Sequence, residues 1–364
     1  MPHIRSIGAV LGAAIFLSAC GAAAPVASTE EPSEAPSLVP PSAGNTPLPT
    51  IEPSPSQTTV DASLPPLRQV AATTITLSGT PPTDAGVVAG PDAIWVKGDI
   101  RIYRIDPATN QVTAEIPIST AGIGIAVTEG AIWIADFDRS QVLRLDPDTG
   151  DQIAAIPVGT NPEGIVAAFG SIWTADHRGA TVTRIDPATN GVSATIRKVG
   201  FVGGGGPQGI AAGSDRIWVG VGNARMVYGI DPTTDSIVAA FPVGRLALPC
   251  GGILDDGAAI WVGSCYEKRA ITRFDPDDGS STIIQLPAFA GQPVRIGELI
   301  WFSITSGVSD PLLLALRPED ETAADAISLP AGSAPDFAVN AFGSLWIMGP
   351  TGTVLRLALS DLGG

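Results

Sequence analysis

Residues 171–190 read SIWTADHRGATVTRIDPATN, and the return of that phrase along the chain decides the fold. Variants of it surround Trp95 (AIWVKGDIRIYRIDPATN), Trp133 (AIWIADFDRSQVLRLDPDTG), Trp218 (RIWVGVGNARMVYGIDPTTD) and Trp261 (AIWVGSCYEKRAITRFDPDDG), with looser versions around Trp301 and Trp346. These seven tryptophans recur at intervals of about 38 to 45 residues, a period that marks a repeat architecture.

In the third unit, the apolar residues 164–168 reach a turn at Phe169 and Gly170 and resume at 171–174, which predicts an inner hairpin. Residues 181–185 alternate as a third strand, stop at Asp186-Pro187-Ala188-Thr189-Asn190, and turn into a fourth strand over 191–196. Four antiparallel strands per unit make a propeller blade. The prolines agree, since Pro117, Pro157, Pro242, Pro287 and Pro330 fall towards the ends of fourth strands, and proline is tolerated only on a sheet edge. In the DP turns, Asp caps through its side chain, Pro presets the next φ, and Asn or Gly accepts the left-handed position. Each such loop is too short to wrap a calcium ion.

The seventh unit supplies strands at 337–341, 345–348 and 353–360 and then ends, while residues 70–78 (VAATTITLS) read like a fourth strand ahead of the first unit. Pairing the two leaves no unfinished sheet. The expectation is an all-β, seven-bladed propeller over 68–364, closed by an N-terminal strand, with the tryptophans packed between neighbouring blades.

Ahead of it, His3 and Arg5 precede an apolar stretch from Ile7 to Ala19 that is too short to span a bilayer permanently, which reads as an export leader over 1–19. The stretch ends in Leu17-Ser18-Ala19-Cys20, followed by Gly21. Residues 20–67 are mostly Pro, Ser, Thr, Ala and Glu and are expected to be a disordered linker. The formal net charge is −16 with no run of Lys and Arg, which disfavours nucleic acid as a partner. A monomeric propeller is expected.

LSAC before Gly21 resembles the lipobox of bacterial lipoproteins. That resemblance implies lipid attachment at Cys20, a membrane anchor and an extracytoplasmic location. The phrase IW followed by RIDPATN, with the linking phrases IPVGTNPEGIVA (156–167) and FPVGRLALPCGGIL (241–254), is similar to YVTN-type and virginiamycin B lyase-like propellers across all seven units. The resemblance implies the fold, and a group that includes envelope binding proteins and one antibiotic-opening lyase using histidine, glutamate and a divalent metal. That chemistry relies on more than one histidine, and beyond the leader this chain has only His177, so no ligand set carries over. A quinone-cofactor dehydrogenase would need a different tryptophan placement, and no cofactor is expected.

Loops between second and third strands share one face with the loops entering first strands. That face is expected to receive Asp136, Asp138 and Arg139, then Asp176, His177 and Arg178, then Asn223 and Arg225, then Tyr266, Glu267, Lys268 and Arg269. Residues ten or eleven before each tryptophan are expected to ring the central channel: Ala85, Ile123, Glu163, Gln208, Cys250, Gly291 and Asp336. Its two acids, Glu163 and Asp336, leave two readings, a divalent cation at the channel mouth or a solvated rim. His177 with Asp176 and Glu163 is the candidate acid–base group. The glycine run 203–206 lies in a long connection, 197–208, expected to form a flexible loop over the face; residues 305–311 of the sixth unit are expected to be a second wall. Cys250 and Cys265 are equidistant from the centre of one hairpin at Gly257 and Ala258, which suggests a disulfide, with free thiols or a metal pair as alternatives. Two functions are expected from this face: binding of a small molecule, glycan or protein, or a lyase or hydrolase reaction.

Overall fold

Six repeats fold as meanders of four antiparallel strands and the seventh as three strands completed from the N-terminal side, and the seven sheets succeed one another as the blades of a β-propeller. The computed structural model describes residues 57–61, 64–79, 86–98, 100–120, 122, 124–203, 205–244, 249, 252–264, 269–286, 289–305, 311–333 and 337–363. All of them belong to one compact unit, Pro47–Gly364. The export leader, Cys20 and most of the expected linker lie outside the described residues.

Blade 3 shows how the repeat builds a sheet. Pro162–Ala168 pairs with Ser171–Asp176 across a turn in which Phe169 and Gly170 both take positive φ, 50° and 70°, and Thr181–Asp186 and Gly191–Arg197 follow. The DP turn between the last two works through its aspartate: Asp186 Oδ1 accepts from the Ala188 amide at 2.9 Å, and Asn190 takes φ 56°. The fourth strands of blades 1, 2 and 4 end on Pro117, Pro157 and Pro242, each on the outermost strand of its sheet, where no ladder donor is lost. Pro330 follows its strand by two residues, and Pro287 lies outside the described residues.

The tryptophans are the packing units of the ring. Seven hydrophobic clusters fill the seven seams between blades, and each seam takes the tryptophan of its earlier blade. Trp133 of blade 2 meets Ile165, Ile172 and Ile185 of blade 3. Trp346 of blade 7 meets Val87, Ile94 and Val96 of blade 1, so the last seam closes the circle. All seven indoles are at most 1% exposed. Truncating one to Ala is expected to cost about 3–5 kcal/mol. In six seams an arginine guanidinium also covers the indole, as Arg184 does over Trp173 at 4.9 Å.

Closure follows the expected strand exchange. Ala72–Thr76 pairs antiparallel with Thr353–Ala358 and supplies the fourth strand of blade 7, burying Ile75 and Leu77 in the seam with blade 1. The chain ahead of it differs from a plain linker. Gln57–Asp61, inside the segment expected to be disordered, adds in parallel to the outer strand Ser281–Gln285 of blade 5. Arg68 then bridges to Ile327 on the outer strand of blade 6 and holds Asp325 with a bidentate ion pair, Nε to Oδ1 at 2.9 Å and Nη2 to Oδ2 at 2.5 Å. Leu64 and Val70 pack against the 5/6 and 6/7 seams. Residues 57–61 and 64–76 therefore lie along the rims of blades 5, 6 and 7. A free outer strand is a row of unpaired amides and carbonyls, which explains how a Pro- and Thr-rich segment is captured there.

Candidate functional site

Seven first strands converge on the propeller axis, and their sequences allow the approach because glycine stands where the backbones come closest. A Cβ at Gly124 would lie 2.4 Å from the Glu163 carbonyl, and one at Gly164 would lie 2.6 Å from that of Gln208. Between the strands is a cavity of about 220 Å³ lined from all seven blades. Its apolar wall includes Val87, Ile125, Ile165, Ile210, Ile253 and Phe337, and its polar side chains are Glu163, Gln208 and Gln292.

Two of the three polar residues stand at β-bulges. In blade 3, Pro162 pairs with Asp176 and Gly164 with Ala175, so Glu163 is the extra residue. In blade 6, Ala290 pairs with Ile304 and Pro293 with Phe302, so Gly291 and Gln292 stand against the single residue Ser303. A bulge turns one side chain out of the alternation. Gln292 lines the cavity, one residue on from Gly291, which residue counting had selected. A glutamine beside a proline inside an apolar strand was the available signal for it. Gln208 arrives without a bulge, its amide donating to the Gly220 carbonyl at 3.0 Å at the start of blade 4.

Of the expected acid–base group, the fold brings two members together. His177 Nδ1 lies 3.9 Å from Glu163 Oε2 and 3.3 Å from the Gly206 carbonyl. Asp176 is a correction: it is the last residue of its strand and is fully buried, whereas His177 begins the turn that follows. Its carboxylate accepts from Thr174, Thr181 and Thr183 at 2.8, 2.8 and 2.6 Å, and from the Gly159 amide. Burial pushes its pKa up, against the pull of these donors. Asp136 is corrected in the same way. It is fully buried at the equivalent place in blade 2, where Oδ2 accepts from Gln141 at 2.9 Å and Arg139 at 3.1 Å. Both aspartates hold the following loop rather than presenting charge to solvent.

On the face itself, Asp138, Arg178 and Asn223 are exposed, while Arg225 is half-buried at φ 54° and donates to the Gly244 carbonyl at 3.3 Å. The glycine-rich connection is docked on blade 3: Phe201 and Gly205 bridge each other, and the Gly203 amide donates to the Arg178 carbonyl at 3.0 Å. Gly206 lies so close to the backbone of His177 that a Cβ would sit 1.8 Å from its carbonyl oxygen. Cys250, Cys265, Tyr266, Glu267, Lys268 and Asp336 lie outside the described residues, as do Ala85, Ile123 and residues 306–310. The register next to the cysteines is Ile253 with Val262 and Asp255 with Ile260. Among the described residues no three His, Cys, Asp or Glu side chains gather as a metal-holding group.

No protein-family model matches the chain, and no curated protein sequence matches it. Solved structures do. The chain is similar to a streptogramin B lyase structure at 17% identity and a TM-score of 0.65, over 79% of this chain and 97% of that one. It is similar to BamB from Moraxella catarrhalis at 13% identity and a TM-score of 0.59, over 80% and 99% of the two chains. Hydrazine synthase from Kuenenia stuttgartiensis matches at 15% identity and a TM-score of 0.62, over 78% and 98%. At such identities the likeness is one of fold, since propellers host unrelated activities.

Proposed function

We propose that the protein is a cell-envelope lipoprotein, anchored through Cys20, whose propeller binds a ligand at the central cavity. The observation that carries the binding reading is the cavity itself: a mostly apolar wall contributed by all seven blades, with three polar residues among them. The lipobox-like LSAC and the Pro- and Ser-rich stretch after it support the anchor and a spacer that holds the domain off a membrane.

A thermal-shift screen of the chain from Gly21 onward, against divalent cations, cell-wall glycans, peptides and cyclic antibiotics, tests the binding half. A ligand at a hundred times its Kd stabilises by about 2.7 kcal/mol. A shift with one class, lost in Gln292→Ala, is the expected result; no shift with any class speaks against a small-molecule site. The anchor is tested separately by Cys20→Ala, which is expected to move the protein from the membrane fraction to the soluble one.

One observation favours a second reading, an envelope lyase or hydrolase. The pair of His177 and Glu163, 3.9 Å apart beside the cavity, has the residue types of general acid–base catalysis, and the fold is shared with a streptogramin B lyase structure. Under this reading His177→Ala abolishes turnover of the bound ligand and leaves its binding largely intact. Under the binding reading no turnover is found in either protein.

A further inference from the structure

We propose that the central cavity takes a small organic monocation, an ammonium group carried on a body of about one ring or a short alkyl chain. This rests on the binding reading above and specifies its ligand class.

Size sets the first bound. A cavity of about 220 Å³ exceeds the roughly 150 Å³ that accommodates benzene and falls below the roughly 300 Å³ at which drug-sized sites begin. Charge sets the second. Among the described lining residues Glu163 is the one ionisable side chain, and it is accompanied by two neutral amides, Gln208 and Gln292. One carboxylate and two amide carbonyls are three acceptor groups for the three N–H donors of a primary ammonium, and Glu163, which also faces His177 Nδ1 at 3.9 Å, keeps a second oxygen to offer. The placement is constructed: Glu163 and Gln292 sit at bulges in blades 3 and 6, three blades apart in a ring of seven, so they approach from opposing walls.

The wall favours an organic cation over a hydrated metal ion. Divalent magnesium and calcium demand six or more oxygen ligands and keep water, whereas Val87, Ile125, Ile165, Ile210 and Ile253 present hydrocarbon. Phe337 adds an aromatic surface to the same lining, a surface on which cations gain. Low local polarity strengthens the pairing of an ammonium with Glu163. The formal net charge of −16 raises the local concentration of cations at the surface.

The test uses the leaderless full chain and two probes of one shape, benzylammonium and benzyl alcohol, measured by isothermal titration calorimetry. Benzylammonium is expected to bind about tenfold tighter or better, as charge-assisted hydrogen bonds imply. Glu163→Gln, which keeps size and removes charge, is expected to abolish the difference between the two probes. Ile210→Trp, which fills the cavity, is expected to block both probes, and melting curves verify that each variant is folded. Equal affinity of the two probes overturns the cation assignment and leaves the binding reading standing. Benzylammonium binding that survives both substitutions places the cation elsewhere and overturns the proposal. Displacement of benzylammonium by equimolar magnesium or calcium overturns it in favour of a metal site. Binding of neither probe overturns it too, and if the wider screen is also silent the binding reading falls with it.

Discussion

Arg144 Nη1, on the third strand of blade 2, donates to Asn190 Oδ1 on the DP turn of blade 3 at 2.8 Å and to the Pro187 carbonyl of the same turn at 2.7 Å. The same guanidinium lies 4.8 Å from the Trp133 ring centroid. Arg184 reaches Asp235 and Pro232 of blade 4 in this way, and Arg356 reaches Asn110 and Pro107 of blade 1. The left-handed turn residue thus has a second task, as the acceptor of a latch from the preceding blade. Blade 2 has Gly150 at that place, without an acceptor, and Arg104 of blade 1 pairs with Asp92 instead. Blade 5 has Gly279 there, and the arginine position opposite Trp218 in blade 4 is Gly229.

Asn190→Gly isolates the latch, because glycine keeps the positive φ and removes only the acceptor. It is expected to cost about 0.5–1.5 kcal/mol, the net worth of a partly buried hydrogen bond. Arg144→Ala is expected to cost more, since it also uncovers Trp133. Urea denaturation of both single variants and the double variant reads the coupling; strictly additive losses would remove the latch from the account.

Closure of the ring depends on the N-terminal segment in two unequal parts. A chain begun at residue 62 lacks the parallel strand Gln57–Asp61 and is expected to stay folded with a small drop in Tm. A chain begun at residue 78 lacks Ala72–Thr76 and leaves the outer edge of Thr353–Ala358 unpaired, its inner edge still held by Ser344–Met348, so it is expected to aggregate. Within the intact chain, Ile75→Ala is expected to cost about 2–4 kcal/mol, Ile75 being only 4% exposed.

Acid stability reports the turn aspartates. Hydrogen bonds from Thr233 and Thr234 hold the Asp231 pKa down to about 2, from the ordinary 3.8. A depressed carboxylate pKa contributes stability that is present above the unfolded value and is lost as pH falls through the folded one. Between about pH 4 and pH 2 the protein is therefore expected to lose Tm, and Asp231→Asn is expected to flatten part of that slope. Parallel Tm curves in this window would exclude the contribution.

Asp176 has the opposite sign. Its pKa is raised by burial, so its linked stability is greatest in acid and declines as pH rises through the folded value. Asp176→Asn, with its amide towards the Thr174 hydroxyl and its oxygen towards Thr181 and Thr183, is expected to gain on the wild type as pH increases. Urea midpoints measured from pH 4 to pH 9 check this, and a constant difference between the two proteins contradicts it.

Gly206 is required by contact. Gly206→Ala places a methyl group against the His177 carbonyl and is expected to destabilise by about 1–3 kcal/mol. It is also expected to weaken any ligand effect that depends on Glu163, since the loop it displaces holds His177 Nδ1. Ligand affinity equal to wild type would detach this loop from the site.

Much of this was legible in the chain. The interval between tryptophans, the two-residue alternation of each strand and the Asp-Pro turns are local patterns, and they determined by themselves a seven-bladed ring closed by the strand that includes Ile75. The cavity was legible in part: counting back from Trp173 and Trp218 found Glu163 and Gln208. The tertiary structure decided the rest. A one-residue bulge in blade 6 set Gly291 and Gln292 together against Ser303, and the burial of Asp176 among Thr174, Thr181 and Thr183 removed it from the face. An acceptor for Arg144 exists only where the next blade's turn comes to lie, 46 positions along the chain at Asn190. The capture of Gln57–Asp61 needed the exposed outer strand of blade 5, an edge that exists only once the blade has formed. Local propensity writes the repeat, and what one repeat does to the next depends on backbone positions that the completed ring creates.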